Sequence, residues 1–247
     1  MEYLLTHMRA TDRGIPMLRI VKQGAKPRAR VIVMHGLGAS KESQLADLYR
    51  LAQADFEAVS IDARLHGEWP EATDRERLLD TNFAGAMQQS VYGTAGDVSH
   101  LLDDWSREAL PVGFVGISAG GMVGHVLAIS EKRIQAMACV ISSPDWVTAD
   151  PTRTPPADSP VGQMLAAMSP VNHAEDYSPL ALLMANGDAD EIVTPFGSVL
   201  LEERLRPIYE AAGQGERLSL IIYGDLGHAY LPEMQEMAVQ WMQRFLL

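Results

Sequence analysis

The segment VGFVGISAGGMV, residues 112–123, decides the fold of this chain, because it places Ser118 among four glycines directly after an apolar run. Glycine inside a strand or helix costs about 0.5–1 kcal/mol relative to alanine, so the segment needs a backbone that side chains would obstruct. The pattern G-x-S-x-G at residues 116–120, between a predicted strand and a predicted helix, is typical of the sharp turn that presents a nucleophilic serine. The other interpretation is that Ser118 only caps the helix that follows.

Around this segment, short apolar runs alternate with helical patterns. The predicted strands cover residues 3–9, 17–22, 30–34, 58–61, 112–117, 134–141, 180–185 and 218–223. The predicted helices cover residues 41–53, 84–107, 119–131 and 196–212, together with a final apolar stripe from Met234 to Phe245. This alternation predicts an α/β fold, with a mostly parallel sheet of about eight strands and helices on both faces. The first two strands are expected to form an antiparallel hairpin at one edge of the sheet.

The length of 247 residues fits one domain over residues 1–247. Residues 142–179 break the alternation and carry half of the chain's 14 prolines, which excludes regular strand there. We expect a small cap insertion at about 142–179, with one short helix near 160–168. Its apolar residues either form a wall of the substrate pocket or only anchor the insertion to the core. These residues are Trp146, Met164, Leu165 and Met168.

A serine nucleophile needs a general base that is itself held by an acid. His228 follows the last predicted strand, so we expect it in a loop at the same edge of the sheet as Ser118. The acid is expected after the seventh predicted strand, at Asp188 or Asp190. Asp190 is favoured because the loop must pass the strand end before it turns toward the histidine, and Asp225 is a weaker alternative. The order Ser118, Asp190, His228 is the order found on α/β-hydrolases.

Composition and charge limit the partners of the protein. The net charge of −12 and the scattered basic residues argue against nucleic acid. No apolar run reaches the roughly 18–20 residues of a membrane-spanning helix, and the first residues lack the features of a signal peptide, so we expect no membrane partner and a cytoplasmic location. The histidines lack the spacing of a zinc site, and we expect neither a metal nor an organic cofactor.

Four motifs together resemble the α/β-hydrolase superfamily over residues 30–247. They are HGLG at 35–38, DARLHGEW at 62–69, GISAGG at 116–121, and NGDADEIVTP at 186–195 followed by GH at 227–228. The chain looks most similar to small bacterial serine esterases of the dienelactone hydrolase and prolyl oligopeptidase-like branch. Dienelactone hydrolases carry a cysteine nucleophile where this chain has Ser118, so their lactone chemistry is not expected here.

The resemblance implies that the backbone N–H groups of Leu37 and Ala119 form an oxyanion hole. A helix that begins at Ala119 would favour negative charge at that point. With the residues above, it predicts hydrolysis of a small-molecule ester with a short to medium acyl chain, through an acyl-enzyme. The alternatives are thioester hydrolysis or acyl transfer by the same triad, or a catalytically silent module that binds a small ligand. The sequence gives no prediction of the oligomeric state.

Overall fold

The computed structural model describes residues 2–148, 155–177 and 179–247. Within these residues the chain forms an eight-stranded sheet. Its strands are β1 (Tyr3–Ala10), β2 (Ile15–Lys22), β3 (Arg30–Met34), β4 (Glu57–Ile61), β5 (Val112–Ile117), β6 (Ile134–Val140), β7 (Ala181–Gly187) and β8 (Leu218–Tyr223). The predicted bounds differ from these by at most two residues at either end of a strand.

The strands lie in the order β1-β2-β4-β3-β5-β6-β7-β8. β2 pairs antiparallel with both β1 and β4, and the remaining pairings between described strands are parallel. The predicted α/β class, the mostly parallel sheet and the antiparallel hairpin at one edge are therefore confirmed. Because the central strands are parallel, their carboxyl ends meet at one edge of the sheet. β3 lies between β4 and β5, so the strand order reverses there, and α/β proteins bind their ligands at such a point.

The helices cover both faces of the sheet. They are α1 (Leu45–Gln53), α2 (Arg75–Thr81), α3 (Phe83–Trp105), α4 (Ala119–Ser130), α5 (Pro160–Met168), α6 (Phe196–Ala211) and α7 (Pro232–Leu246). Buried residues of α3, α4 and α6 form one core cluster with one side of the strands, and those of α1 and α7 form a second cluster with the other side. Over the described ranges, no helix combines the length and the apolar character needed to cross a membrane.

The sequence did not predict α2, and the reason is physical. None of its residues is buried, so its segment RERLLDT carries no apolar stripe that could reveal it. A 3₁₀ turn at Pro70–Asp74 leads into it.

The short helix expected in the insertion is present as α5, and a 3₁₀ segment at Pro170–Asp176 follows it. Residues 149–154 and 178 of the predicted cap lie outside the described residues.

Helix α7 offers a test of the second core cluster. Met242 is fully buried there, so Met242→Ala removes most of a buried side chain and leaves a cavity. We expect the free energy of unfolding in urea to fall by about 2–5 kcal/mol. Gln243→Ala, at the exposed neighbouring position of the same helix, is the control and should stay within about 0.5 kcal/mol of the wild type. Equal effects of the two substitutions would contradict this packing of α7.

Candidate active site

Ser118 stands on a strained turn between β5 and α4, with φ 55° and ψ −119°. A residue other than glycine held in such a sparsely populated region costs on the order of 1–3 kcal/mol, and such residues cluster at functional sites. The flanking glycines are a steric requirement. A Cβ at Gly116 would lie 2.3 Å from the carbonyl oxygen of Gly120, and a Cβ at Gly120 would lie 2.4 Å from that of Met34. Close packing of strand and helix backbones therefore fixes the position of Ser118.

The side chains of Ser118, His228 and Asp190 lie in one hydrogen-bonded chain. Nδ1 of His228 donates to Oδ2 of Asp190 at 2.7 Å, and Nε2 of His228 lies 3.0 Å from Oγ of Ser118. The Asp190 side chain is fully buried, and its Oδ1 accepts from the backbone N–H groups of Ile192 and Val193, both at 2.9 Å. The carboxylate is thus held in one orientation toward the imidazole.

The two other aspartates considered from the sequence lie elsewhere. Asp188 and Asp225 are exposed, and neither forms a hydrogen bond with His228 among the described residues. The backbone N–H of Asp188 donates to the carbonyl oxygen of Tyr223 at 3.0 Å, which extends the pairing of β7 with β8 past the strand end. The chain leaves the sheet after this bond, and Asp190 is the acid that reaches the imidazole.

The proposed oxyanion donors, Leu37 and Ala119, lie beside Ser118. Both residues line one cavity together with Ser118 and His228. The backbone N–H groups of both residues have no hydrogen-bond partner in the part of the chain that the structure describes. The loop that carries Leu37 also approaches the serine closely, because a Cβ built on Gly36 would lie 3.3 Å from Cβ of Ser118. Both N–H groups are therefore available to a substrate oxygen.

Two buried histidines, His35 and His66, shape the backbone near this loop. Nδ1 of His35 donates to the carbonyl oxygen of Gly36 at 2.8 Å, and its Nε2 accepts from the N–H of Ala63 at 3.0 Å. Burial lowers the pKa of His35 to about 4, so this imidazole is neutral near pH 7. Neither histidine was expected from the sequence to be catalytic.

The cavity beside Ser118 has a volume of about 330 Å³ and a mostly apolar wall. Trp146 and Leu165 of the predicted cap line it, as expected for a substrate wall. Met164 and Met168 are not among the lining residues, which differs from the prediction. The Met164 side chain is exposed, and Sδ of Met168 accepts a long hydrogen bond from Nε2 of Gln88 at 3.6 Å. Met164 directly precedes Leu165 and so points to a different side of α5, whereas Met168, three residues after Leu165, shares its face but lies one turn further along the helix, at its end.

Sequence reasoning missed a large part of this wall, which the start of α3 supplies. The lining residues outside the predicted set are Phe83, Ala84, Met87, Gln88, Val91, Met122, Ile192 and Val193. A signal existed, because Phe83, Met87 and Val91 recur at four-residue steps and form one apolar stripe. The stripe indicated a buried helix face but not that the face borders a cavity.

One cluster outside the cavity has residue types that bind cations. His7, Glu42 and Glu68 hold ligand atoms within 4.8 Å of one another, which makes them the cation-binding candidates among the described residues. However, Nζ of Lys41 lies 2.6 Å from Oε1 of Glu68 and 2.8 Å from Oε1 of Glu42. The ammonium group of Lys41, which also pairs with Asp62, already offsets part of this negative charge, which weakens the case for a metal ion.

The strand order, with a serine on the sharp turn after β5, defines an α/β-hydrolase. Residues 25–171 match the family described as "Serine aminopeptidase, S33". The chain belongs to this family. The dienelactone hydrolase and prolyl oligopeptidase-like branch of the superfamily, expected from the sequence motifs, is thereby confirmed.

Comparison with known proteins agrees with this assignment. Over 143 residues the chain is 32% identical to a Bacillus subtilis protein named "Putative esterase YitV", in an alignment that covers 56% of this chain and 54% of that protein. The chain thus spans about half the length of this relative. The structure of TT1662 from Thermus thermophilus superimposes with a TM-score of 0.80 at 24% identity, over 100% of this chain and 99% of that one. A cold-adapted esterase from an Arctic intertidal metagenomic library gives a TM-score of 0.67 at 19% identity, over 99% and 93% of the two chains.

The turn at Ser118 can be tested through its glycines. Gly116→Ala places a Cβ against the backbone of Gly120, and we expect the free energy of unfolding to fall by about 2–3 kcal/mol. Gly96→Ala is the matched control, because a Cβ there meets nothing within 4 Å in helix α3. This control should raise the free energy of unfolding by about 0.5–1 kcal/mol. Urea unfolding of both variants is the measurement. An unchanged free energy of unfolding in Gly116→Ala would contradict the close approach of β5 and α4.

Proposed function

We propose that this protein is a carboxylesterase that cleaves small-molecule esters of short to medium acyl chains through an acyl-enzyme intermediate. Ser118 is the nucleophile, His228 the general base and Asp190 the acid that orients the imidazole. The observation that carries the proposal is the continuous hydrogen-bonded chain from Asp190 through His228 to Oγ of Ser118. Such a chain activates a hydroxyl that is otherwise a weak nucleophile.

Acylation begins with the proton on Ser118. Because Nδ1 of His228 donates to Asp190, its Nε2 carries a lone pair that faces Oγ of Ser118 at 3.0 Å. Nε2 takes the hydroxyl proton as Oγ forms a bond to the ester carbonyl carbon, and the carbonyl electrons move to its oxygen. The imidazolium then protonates the departing alkoxide as the C–O bond breaks, which leaves an acyl group on Ser118.

The negative oxygen formed in this step needs hydrogen-bond donors. The backbone N–H groups of Leu37 and Ala119 serve this role in the proposal, and both residues line the cavity next to Ser118. Ala119 also opens helix α4, whose N-terminal end carries partial positive charge. One such donor is worth about 3–4 kcal/mol in the transition state.

Deacylation uses the same groups in reverse roles. A water molecule takes the place of the alcohol, and Nε2 of His228 removes its proton as the oxygen attacks the acyl carbon. The imidazolium then returns the proton to Oγ of Ser118, and the carboxylic acid leaves. No step in this scheme requires an organic cofactor or a metal ion.

The cavity wall supports an ester substrate over a peptide with a free amino terminus. The lining residues in the described ranges include no aspartate or glutamate, so they offer no carboxylate partner for a buried ammonium group. Burial of an unpaired charge is costly, which disfavours an aminopeptidase substrate in this cavity. The apolar side chains of Phe83, Met87 and Trp146 suit the hydrocarbon part of an acyl group, and a volume of about 330 Å³ limits its length.

A panel of substrates separates this proposal from its alternatives. We expect turnover of p-nitrophenyl acetate, butyrate and octanoate, with weak turnover of the palmitate ester because the cavity is small. In Ser118→Ala the turnover number should fall by at least about 10⁴-fold, since removal of a triad nucleophile has effects of this size. Preferred cleavage of acyl-CoA would indicate a thioesterase, and preferred cleavage of alanine p-nitroanilide an aminopeptidase. Binding without turnover would indicate a silent module.

The role of Asp190 has a matched control two residues away. Asp190→Asn should lower the turnover number by about 10⁴-fold, because an amide that donates to Nδ1 favours the wrong imidazole tautomer. Asp188→Asn changes an exposed carboxylate that forms no hydrogen bond with His228, and its turnover number should stay within about twofold of the wild type. Steady-state kinetics with one ester measures both. A lower turnover number in Asp188→Asn, together with a wild-type turnover number in Asp190→Asn, would identify Asp188 as the acid.

A further inference from the structure

Two buried imidazoles connect the loop after β3 with the loop after β4. His35, in the first loop, accepts a hydrogen bond from the N–H of Ala63 in the second loop at 3.0 Å. His66, in the second loop, accepts one from the N–H of Gly38 in the first loop at 3.0 Å. The exchange is reciprocal, and the two rings lie edge to face with centroids 5.2 Å apart.

This exchange requires each ring in a defined tautomer. Nδ1 of His66 donates to the carbonyl oxygen of Arg64 at 2.9 Å, which leaves Nε2 without a proton and able to accept. Burial lowers the pKa of His66 below its ordinary value, as it does for His35, so neutral rings are favoured. His66 is only 1% exposed, so water has little access to replace its hydrogen bond.

The peptide held by this exchange is next to the proposed oxyanion donor. The N–H of Gly38 follows Leu37 and is fixed by His66, while the carbonyl oxygen of Gly36 precedes Leu37 and accepts from Nδ1 of His35. Gly38 has φ 80°, in the left-handed region that glycine adopts readily. The N–H of Ala39 donates to the carbonyl oxygen of Gly36 at 3.2 Å, which closes a turn around Leu37. Hydrogen bonds on both sides of Leu37 therefore fix the direction of its own N–H.

We propose that His66 is a positioning residue for the oxyanion hole. Its Nε2 holds the N–H of Gly38, and this bond orients the preceding peptide group, which carries the N–H of Leu37, toward the reacting oxygen. This inference rests on the proposed function, because it takes Leu37 as an oxyanion donor. The donor contributes fully in the transition state only when it lies close to the position of the developing charge. His66 does not line the cavity and forms no hydrogen bond with Ser118 among the described residues, so it acts through the backbone.

A second contact joins the same two loops, so His66 is not needed merely to hold them together. Asp62, fully buried, accepts from the backbone N–H of Lys41 at 2.9 Å and from its Nζ at 3.0 Å. This contact lies past the oxyanion loop, at the 3₁₀ turn Lys41–Gln44. Because it remains when residue 66 is changed, the two loops should stay together while the direction of the Leu37 peptide becomes less defined.

Two substitutions of His66 test the proposal, and the side chains that they introduce are nearly equal in size and shape. His66→Gln keeps a strong acceptor at the end of an unbranched side chain, whereas His66→Met offers only a weak thioether acceptor. We expect His66→Met to lower kcat for p-nitrophenyl butyrate by about 10–100-fold with KM within about twofold, because a misdirected donor acts on the transition state. His66→Gln should retain kcat within about fivefold of the wild type. His100→Met is the control and should match the wild type, because His100 pairs with Asp12 at an exposed site and does not line the cavity.

Equal kcat values for the Met and Gln variants would overturn the inference while the proposed function stands. A loss confined to KM would overturn it as well, since the oxyanion hole acts on the chemical step.

A measurement on the wild-type protein covers the cases in which a variant does not fold or no ester is cleaved. Long-range ¹H–¹⁵N spectra report the imidazole tautomer. A proton on Nδ1 of His66 and a downfield-shifted amide proton of Gly38 would support the positioning role. A proton on Nε2 of His66 would overturn the inference whatever the activity. Absence of ester cleavage in the wild type, by contrast, would remove the proposed function and with it the oxyanion role, while a proton on Nδ1 would still show that His66 holds the N–H of Gly38.

Discussion

The positive φ at Ser118 is the constraint on which the rest of the site depends. The surrounding packing stabilises that strained conformation, because β5 lies in the middle of the sheet and α4 packs against it with glycines at the points of contact. The turn is therefore rigid, and it supplies a fixed point at the carboxyl edge of the sheet. The loops after β3, β7 and β8 reach the same edge, so each needs only a few residues to bring Leu37, Asp190 or His228 to the serine.

Much of this arrangement could be predicted from the sequence, because the features concerned leave local signals. Parallel strands covered on both faces are continuously apolar, so their bounds are visible in runs such as RVIVM and VGFVGI. The three side chains of the hydrogen-bonded chain could be named because each follows a recognisable strand. The choice of Asp190 over Asp188 followed from the reach of the loop, and the structure brings Asp190 to His228.

Features that depend on contacts between distant segments could not be predicted in the same way. Helix α2 buries no residue, so no periodicity marked it. Whether α3 contributes to the cavity wall depends on the angle at which it crosses the sheet edge. In the sequence, a stripe such as Phe83, Met87 and Val91 looks the same whether it faces a core or a cavity. Met164 and Met168 show the converse case, because apolar character alone does not reveal which residues of α5 border the cavity. The exchange between His35 and His66 likewise joins loops that the sequence separates by about 30 residues.

In the proposed esterase, the turn after Asp190 separates substrate choice from proton transfer. Ile192 and Val193 border the cavity with their side chains, but they hold the carboxylate of Asp190 through backbone N–H groups. Main-chain donors persist under any replacement except proline, whatever side chain the residue carries. Evolution or a protein engineer can thus reshape this part of the cavity for a different acyl group while the acid keeps its orientation.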